Sequence, residues 1–369
     1  MTTVAPVESQ ELKWSTRADL SPAVVNPAKA TGLLVATPTA RTVIPFGKQE
    51  RESARELTRE TLVQAGVSPG DRVVVSLNND ADLTGSRIAE AAAEVGDAAV
   101  SVGPRGRMRL LETLERVAAN VLVATPSGAA DLLARLHMEF LVDPLDLELR
   151  LLLLVGEITD DKTRRHLAAE FGATVVEVYL DPVTGVPVAH RAPSGELVAV
   201  QSGLLALAAL DQDTLVTGPA RGELIARHTW HPDLAGVALR TGYVAERSEG
   251  GALLAPQHTV GTALLARGQW LSVDEIGAAL RKIDGISRWR LEISRPGTLD
   301  TATLTVSFNR ESLIRNGMWK GRIEQVLTAL TPVTIEVQVS EHVQEEPAAP
   351  AIADHRGHHL GIDRSHAAE

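Results

Sequence analysis

From Glu50 to Leu180 the sequence alternates apolar runs of strand length with amphipathic stretches of helical period, and this limits the available folds more than any other feature. ERESARELTRETLVQAG (50–66) carries apolar residues at helical spacing and ends on Gly66, a natural helix stop. The turn Ser68-Pro69-Gly70-Asp71 leads into the strand RVVVSL (72–77). The pattern repeats: helix RIAEAAAEVG (87–96), strand AAVSVG (98–103), helix MRLLETLERVAA (108–119), strand NVLVATP (120–126), then a helix opening at SGAADLLARL. LRLLLLVG (149–156) reads as a buried parallel strand, DDKTRRHLAAEFG (160–172) as a helix and ATVVEVYL (173–180) as the next strand. Such alternation predicts an α/β fold with a parallel sheet and helices on both faces.

Outside this core the character changes. Residues 1–30 are polar with scattered Pro and predict an irregular lead-in. Near 190–245 short β segments follow: GELVAV, GELIARHTW and GVALRTGYVAE. After about 262 a second unit begins with a strand LLARGQW and a helix SVDEIGAALRKIDG (272–285). RWRLEISRPG and ATLTVSFN form a hairpin-like pair, MWKGRIEQVLTAL (318–330) a helix and VTIEVQVSE (333–341) a final strand. The expected organisation is therefore a large domain over 31–260, a small α+β domain over 261–343, and an Ala/Pro/His-rich tail over 344–369, expected to be disordered.

At 369 residues the chain is long enough for two domains. Its formal net charge of −11 argues against nonspecific nucleic-acid binding, which needs a basic face. No apolar run reaches the length of about 18–20 residues needed to span a bilayer, and MTTVAPVESQELKW lacks the basic-then-apolar order of a secretory signal. Zero Cys rules out disulfides, thiolate metal sites and a cysteine nucleophile. These features predict a cytoplasmic protein.

The order of elements, with GVSPGDRVVVSL, NVLVATPSGAADLLARL, LLLLVGEITDDKTRRHLAAEFGATVVEVY, RGELIARHTW, LRTGY and LLARGQWLSVDEIGAALRKIDGI, resembles the phenylacetate–CoA ligase group of the adenylate-forming (acyl-CoA synthetase) superfamily over roughly residues 30–345. Members of that family carry a longer portion ahead of the phosphate loop, so the resemblance implies an N-terminally shortened version of the fold. It also implies ATP and Mg²⁺ as cofactors for joining a carboxylate to AMP, CoA as acyl acceptor, a small C-terminal lid that rotates between the two half-reactions, and association as dimers.

The residues at the family's motif positions depart from this chemistry one after another. The phosphate loop is a Ser/Thr/Gly run ending in Lys; LLVATPTARTVIPF (33–46) holds its place with Thr37, Thr39, Arg41 and Thr42 but no Gly, and Pro38 removes a backbone donor. Where the family has Tyr-Gly and then a Mg²⁺-binding Glu, this chain has Tyr179, Leu180 and Val183, leaving Asp181 as the candidate replacement ligand. Arg240-Thr241-Gly242 survive from an Arg-Thr-Gly-Asp motif, but Tyr243 replaces the Asp that holds the ribose hydroxyls. His258-Thr259-Val260-Gly261-Thr262 lacks the acidic residues of the hinge, although Arg267-Gly268 remains. EEPAAPAIADHR has no Lys where the lid supplies a catalytic one, and Lys48, Lys282 and Lys320 lie elsewhere. Gly156-Glu157 matches a family turn beside the acyl pocket and adenine.

Each feature also has a plain structural reading. The 33–46 stretch reads as a β-hairpin with Pro at its corner, Tyr179 as a pocket or core wall, and Arg240-Thr241-Gly242 as a turn at the domain junction. His228, Trp230 and His231 read as a loop packed on the sheet, the tail residues His355, His358, His359 and His366 as adventitious metal binders at most, and Ser127 as a helix N-cap. No metal site is expected. The combined expectation is a ligase fold that no longer adenylates, keeping a pocket for an aromatic or acyl group lined by Gly156, Glu157, Tyr179, Asp181, Arg240 and Thr241. Such a protein would act as a pseudoenzyme, as a homodimer or as a subunit beside a partner enzyme. Two rivals remain open here: an active acyl- or aryl-CoA ligase with Arg41, Asp181 and Glu157 in replaced roles, and acyl transfer or condensation on a preactivated substrate.

Overall fold

The computed structural model describes residues 12–17, 19–20, 32–37, 42–79, 84–331 and 333–367. A strand β1 (Lys13–Thr16) and a hairpin β2 (Leu33–Thr37)–β3 (Thr42–Phe46) precede helix α1 (Lys48–Gln64). There follow β4 (Arg72–Ser76), α2 (Gly85–Val95), β5 (Ala98–Ser101), α3 (Arg107–Arg116), β6 (Val121–Ala124), α4 (Pro126–Arg135), β7 (Leu151–Val155), α5 (Asp161–Phe171), β8 (Thr174–Leu180), β9 (Pro187–Arg191) and β10 (Leu197–Ala199). These strands form one sheet in the order β10-β9-β8-β7-β6-β4-β5, parallel from β8 to β5, with β9 and β10 added antiparallel.

Alternate residues explain why the strands carry apolar runs rather than an alternating pattern. Val73, Val75, Leu151, Leu153 and Val155 pack with Leu62, Ile88 and Ala92 of α1 and α2. Val74, Leu152 and Leu154 point the other way, onto Leu110, Leu132, Leu167 and Phe171 of α3, α4 and α5. Both faces are buried, so both need apolar side chains. Helix starts are fixed by caps: Thr125 accepts from Gly128 N ahead of Pro126, and Asp160 accepts from Thr163 N. Ser127, expected as a cap, sits one position inside the first turn and bonds elsewhere.

A second sheet joins β11 (Leu205–Ala208), β12 (Ala220–Arg227), β13 (Val237–Arg247) and β14 (His258–Thr259). Its far edge is β1, parallel to β13 with Lys13 opposite Val237. Part of the lead-in expected to be irregular is thus a sheet strand, since four residues with one buried position give little period to read.

The small domain opens with a hairpin, β15 (Ala263–Ala266) and β16 (Gln269–Ser272), where one strand was expected. Arg267 and Gly268 form its two-residue tip, both with positive φ (51° and 73°), as a tight hairpin turn requires. Helix α6 (Val273–Leu280), capped by Ser272, ends five residues before the expected Gly285. The rest is β17 (Ile286–Ser294), β18 (Thr301–Phe308), α7 (Glu311–Ile314), α8 (Met318–Leu330) and β19 (Ile335–Val339), around a core that includes Leu291, Leu304, Phe308 and Ile323.

The tail expected to be disordered is ordered over its described residues, 344–367. Its strand β20 (Ala351–Asp354) pairs parallel with β17, and residues beyond it return to the large domain: Thr259 N donates to His358 O, and Ala367 packs with Leu210 and Val244. Four residues are too few to show a period, and the segment is held by strand pairing, ion pairs and scattered apolar contacts of Ile352, Leu360, Ile362 and Ala367 rather than by one continuous apolar face. Within it, burial and the nearby Arg356 lower His359 from the ordinary imidazole value of 6.5 to about 4, against the pull of Asp354. The unfolded imidazole takes up its proton near 6.5 and the folded one only near 4, so stability should fall as pH drops through that window. We expect His359→Gln to flatten this part of the urea-unfolding profile; profiles of equal slope would remove His359 as the cause.

Candidate functional site

The C-terminal ends of β7 and β8 meet the β12–β13 sheet, and most of the expected site residues gather there. Gly156 follows β7 with φ 83°, turning the chain so that Glu157 points inward. The Glu157 carboxylate accepts from Ser127 Oγ at 2.6 Å and Ser127 N at 3.0 Å, and lies 3.6 Å from Arg295 of the small domain. Burial and the neighbouring Asp300 raise its pKa, against Ser127 and Arg295. Tyr179 donates its hydroxyl to Glu177 at 2.9 Å, and Glu177 is also paired with Arg164 at 2.9 Å. Burial first, and then the Glu177 charge, push the Tyr179 phenol well above its ordinary value, so it stays neutral.

Asp181 opens the loop after β8. One oxygen accepts from Val183 N (3.1 Å), Thr184 N (2.7 Å) and Thr184 Oγ1 (2.8 Å); the other lies 2.6 Å from Nε2 of the buried His228. Burial would raise its pKa, but His228 and Thr184 outweigh it and hold the carboxyl at about 2. This carboxylate builds a turn, with its acceptor sites taken up by the protein itself. His231 Nε2 donates to Pro45 O (2.9 Å) and packs edge-on against Phe46, and His228 is buried against Asp181, so neither histidine is presented to a ligand.

Arg240, Thr241 and Gly242 lie in β13. Arg240 reaches Glu223 at 2.8 Å, Asp213 at 3.0 Å and the Gln212 carbonyl at 2.6 Å. Thr241 Oγ1 donates to Leu224 O, and Gly242 N donates to Glu223. Gly242 has φ 82°, and a Cβ there would meet the Trp270 ring at 3.3 Å. Tyr243 packs edge-on against Trp270 (5.1 Å between centroids) and Tyr179 (6.3 Å). The Arg17 guanidinium lies 4.0 Å over Trp270, donating to the Thr241 and Pro182 carbonyls. Arg17, Gly156, Glu157, Tyr179, Asp181, Tyr243 and Trp270 enclose a cavity of about 20 Å³, on the order of one water molecule. Arg240 and Thr241 line a neighbouring recess of similar size with Arg364 of the tail.

Gly156, Glu157, Tyr179 and Asp181 therefore converge, Arg240 and Thr241 lie beside them, and the hairpin residues stand apart. Thr37 and Thr42 are paired across the β2–β3 hairpin, while Thr39 and Arg41 fall outside the described residues. Sequence reasoning missed Arg17, Glu223, Trp270 and Arg364. Only Trp270 carried a signal, as an aromatic next to Arg267-Gly268 in an aromatic-poor chain.

ATP, Mg²⁺ and CoA, implied by the family resemblance, can be tested against these residues. The residues do not fit a nucleotide with its metal. The space beside Tyr179 and Tyr243 is filled by the Arg17–Trp270 stack, and Arg240 and Asp181 spend their polar groups on the protein. Among the described residues no group of three or more His, Asp or Glu could hold a metal ion.

No family model matches the sequence, and no curated protein matches it. Solved structures do. A 2-hydroxyisobutyryl-CoA ligase in complex with 2-HIB-AMP and CoA, in its thioesterification state, is 16% identical over 92% of this chain and 80% of its own, with a TM-score of 0.77. The same ligase in the postadenylation state is 17% identical, covering 94% and 80%, with a TM-score of 0.60. A double mutant of o-succinylbenzoate CoA synthetase from Bacillus subtilis is 13% identical, covering 85% and 66%, with a TM-score of 0.62. The chain has the fold of the adenylate-forming acyl-CoA ligases. No helix among its described residues is long and apolar enough to cross a membrane.

Proposed function

We propose that this protein is a phenylacetate–CoA ligase-like chain that no longer adenylates, and that it binds an aromatic or acyl group as a cytoplasmic pseudoenzyme or accessory subunit, paired with itself or with a partner enzyme. One observation carries the reading: the row Tyr179–Tyr243–Trp270–Arg17 occupies the space beside the family's nucleotide-binding motifs. Opening it would break two aromatic contacts and a stacked guanidinium, and Tyr243 would still offer no carboxylate to a ribose diol.

The domain setting supports the same reading. The TM-score falls from 0.77 to 0.60 between two states of one ligase, as a different setting of the small domain would produce. A ligase must leave the first setting to adenylate. Here Arg295 of the small domain faces Glu157, Thr298 donates to Asp131 and the tail's Arg364 bonds Glu223, contacts that favour this setting.

Isothermal titration with ATP and Mg²⁺, beside an active ligase as control, tests this. We expect no heat at millimolar nucleotide while the control binds. Micromolar binding would return the chain to the active ligases, with Asp181 and Arg240 the first residues to substitute.

A further inference from the structure

At the N-terminal ends of the parallel strands, opposite the filled site, the segment 136–148 departs from regular backbone. Helix α4 runs on into a π-helical turn (Leu136–Phe140), Leu141 follows with φ 52°, and Glu148, ahead of β7, has φ 51°. π turns and left-handed side chains other than glycine both collect in functional segments, because they cost energy that local packing does not return. Leu141 recovers nothing inside the chain: it is 83% exposed, with Met138 at 80% and Leu145 also exposed. The segment wraps the last turn of α5, His137 bonding Glu170 at 3.1 Å and Leu145 lying against Gly172, so these apolar side chains share one surface. Asp143, Asp146 and Glu148 rim it, exposed and without an ion pair among the described residues.

The small domain presents the converse. Residues 261–343 hold ten Lys or Arg against nine Asp or Glu, a net of +1 in a chain of −11. Leu313 of α7 covers Gly285 and Arg310 pairs with Asp284, which brings the start of α8 to the end of α6. Met318 there is 81% exposed. The acids around it are already spent, Glu311 on Arg315 and Glu324 on Lys320. Arg281, Lys282 and Arg322 make no ion pair among the described residues, and Arg322 lies over the Trp319 ring at 5.4 Å.

We propose that these two surfaces bind each other between copies of the chain, head to tail, with Met318 of one copy against Met138 and Leu141 of the next, and Arg281, Lys282 and Arg322 facing Asp143, Asp146 and Glu148. Three unpaired acids around an apolar patch match three unpaired cations around a methionine, whose flexible thioether suits such a contact. A two-fold contact of either surface with itself would set like charges against each other. Because the two surfaces differ, each dimer keeps one of each free, and growth past the dimer follows. The inference rests on the self-pairing half of the reading above, and not on the loss of adenylation.

Sedimentation of the full chain from about 5 to about 200 µM, the range of a small interface, tests this. We expect a mean mass that rises past the dimer with concentration and falls back toward the monomer in about 1 M NaCl, where the screening length is about 3 Å. Leu141→Asp and the double variant Arg281→Glu with Lys282→Glu should each stay monomeric. An equal mixture of the two should form dimers and nothing larger, since only one pair of intact surfaces remains. Leu141→Asn, which tolerates the left-handed backbone, should unfold at higher urea yet associate about tenfold more weakly, the opposite of what a purely structural leucine would give. A wild type that stays monomeric or stops at the dimer, association that survives either charge variant alone, or a mixture that stays monomeric would overturn the proposal. ATP binding would overturn only the loss of adenylation; a monomeric chain silent toward ATP would overturn only this contact.

Discussion

Glu223→Ala should cost about 3–5 kcal/mol of unfolding free energy, the cost of removing one member of a buried ion cluster. Glu223 is fully buried in β12, and both oxygens are used. One accepts from Gly242 N (2.9 Å) and Arg364 (3.3 Å), the other from Arg240 (2.8 Å) and Arg364 (2.8 Å). Without it, Arg240 keeps a charge at 6% exposure with, among the described residues, the exposed Asp213, two carbonyls and the Trp14 ring as partners, and the Gly242 N–H loses its partner. Glu223→Gln keeps the shape and loses the charge, so it should recover only part of the loss. Urea unfolding of the two variants measures this; a change below about 1 kcal/mol, the scale of an exposed pair, would mean that the cluster does not hold the sheet and the tail together.

The same arginine shows what could be read from the sequence and what could not. The sheet was legible because β4, β6 and β7 must be apolar on both faces, and a run such as Leu151–Val155 has few other uses. The convergence of Gly156, Glu157, Tyr179 and Asp181 was legible because they follow two adjacent parallel strands, whose C-terminal ends lie side by side. The partners that decide their chemistry were not. Arg240 depends on Glu223, 17 residues away, and on Arg364 through that Glu; Glu157 depends on Ser127, 30 residues away. A lone Arg, Ser or Glu has no period, so nothing local marks the pairing. Tyr243 was the visible departure; the Arg17–Trp270 stack that makes it consequential joins the lead-in to the small domain.

Asp181 and Glu157 are buried carboxylates whose acceptor sites the protein itself occupies. Asp181 builds a turn with Thr184 and faces His228, while Glu157 ties the first turn of α4 to Arg295. A carboxylate that binds a metal must keep lone pairs aimed at open space. Here the hydrogen bonds point inward, and restoring one family residue at a time would leave the neighbouring groups committed as before.

Arg356→Met is expected to be as damaging as Glu223→Ala, at about 3–5 kcal/mol, and Arg364→Met much milder, at about 1 kcal/mol. Both residues lie in the tail, so a disordered tail would make both substitutions silent. Arg356 is 7% exposed in its side chain and bonds Asp300 (2.6 Å), both oxygens of Asp354 (2.8 and 2.9 Å) and the Leu265 carbonyl (2.7 Å). Burial works against the ionised Asp354, but Arg356 more than offsets this and holds its pKa below the ordinary value. Removing the guanidinium strands Asp354, and leaves the fully buried Asp300 with Arg295 (2.7 Å) and one backbone donor. Arg364 is 25% exposed, and its loss leaves Glu223 still paired with Arg240. The order of the two effects is therefore the diagnostic. Urea unfolding gives the energies, and limited proteolysis reports whether the tail is released in Arg356→Met. Equal and small effects, with the tail cut at the wild-type rate, would show that residues 344–367 do not fasten the small domain to the large one.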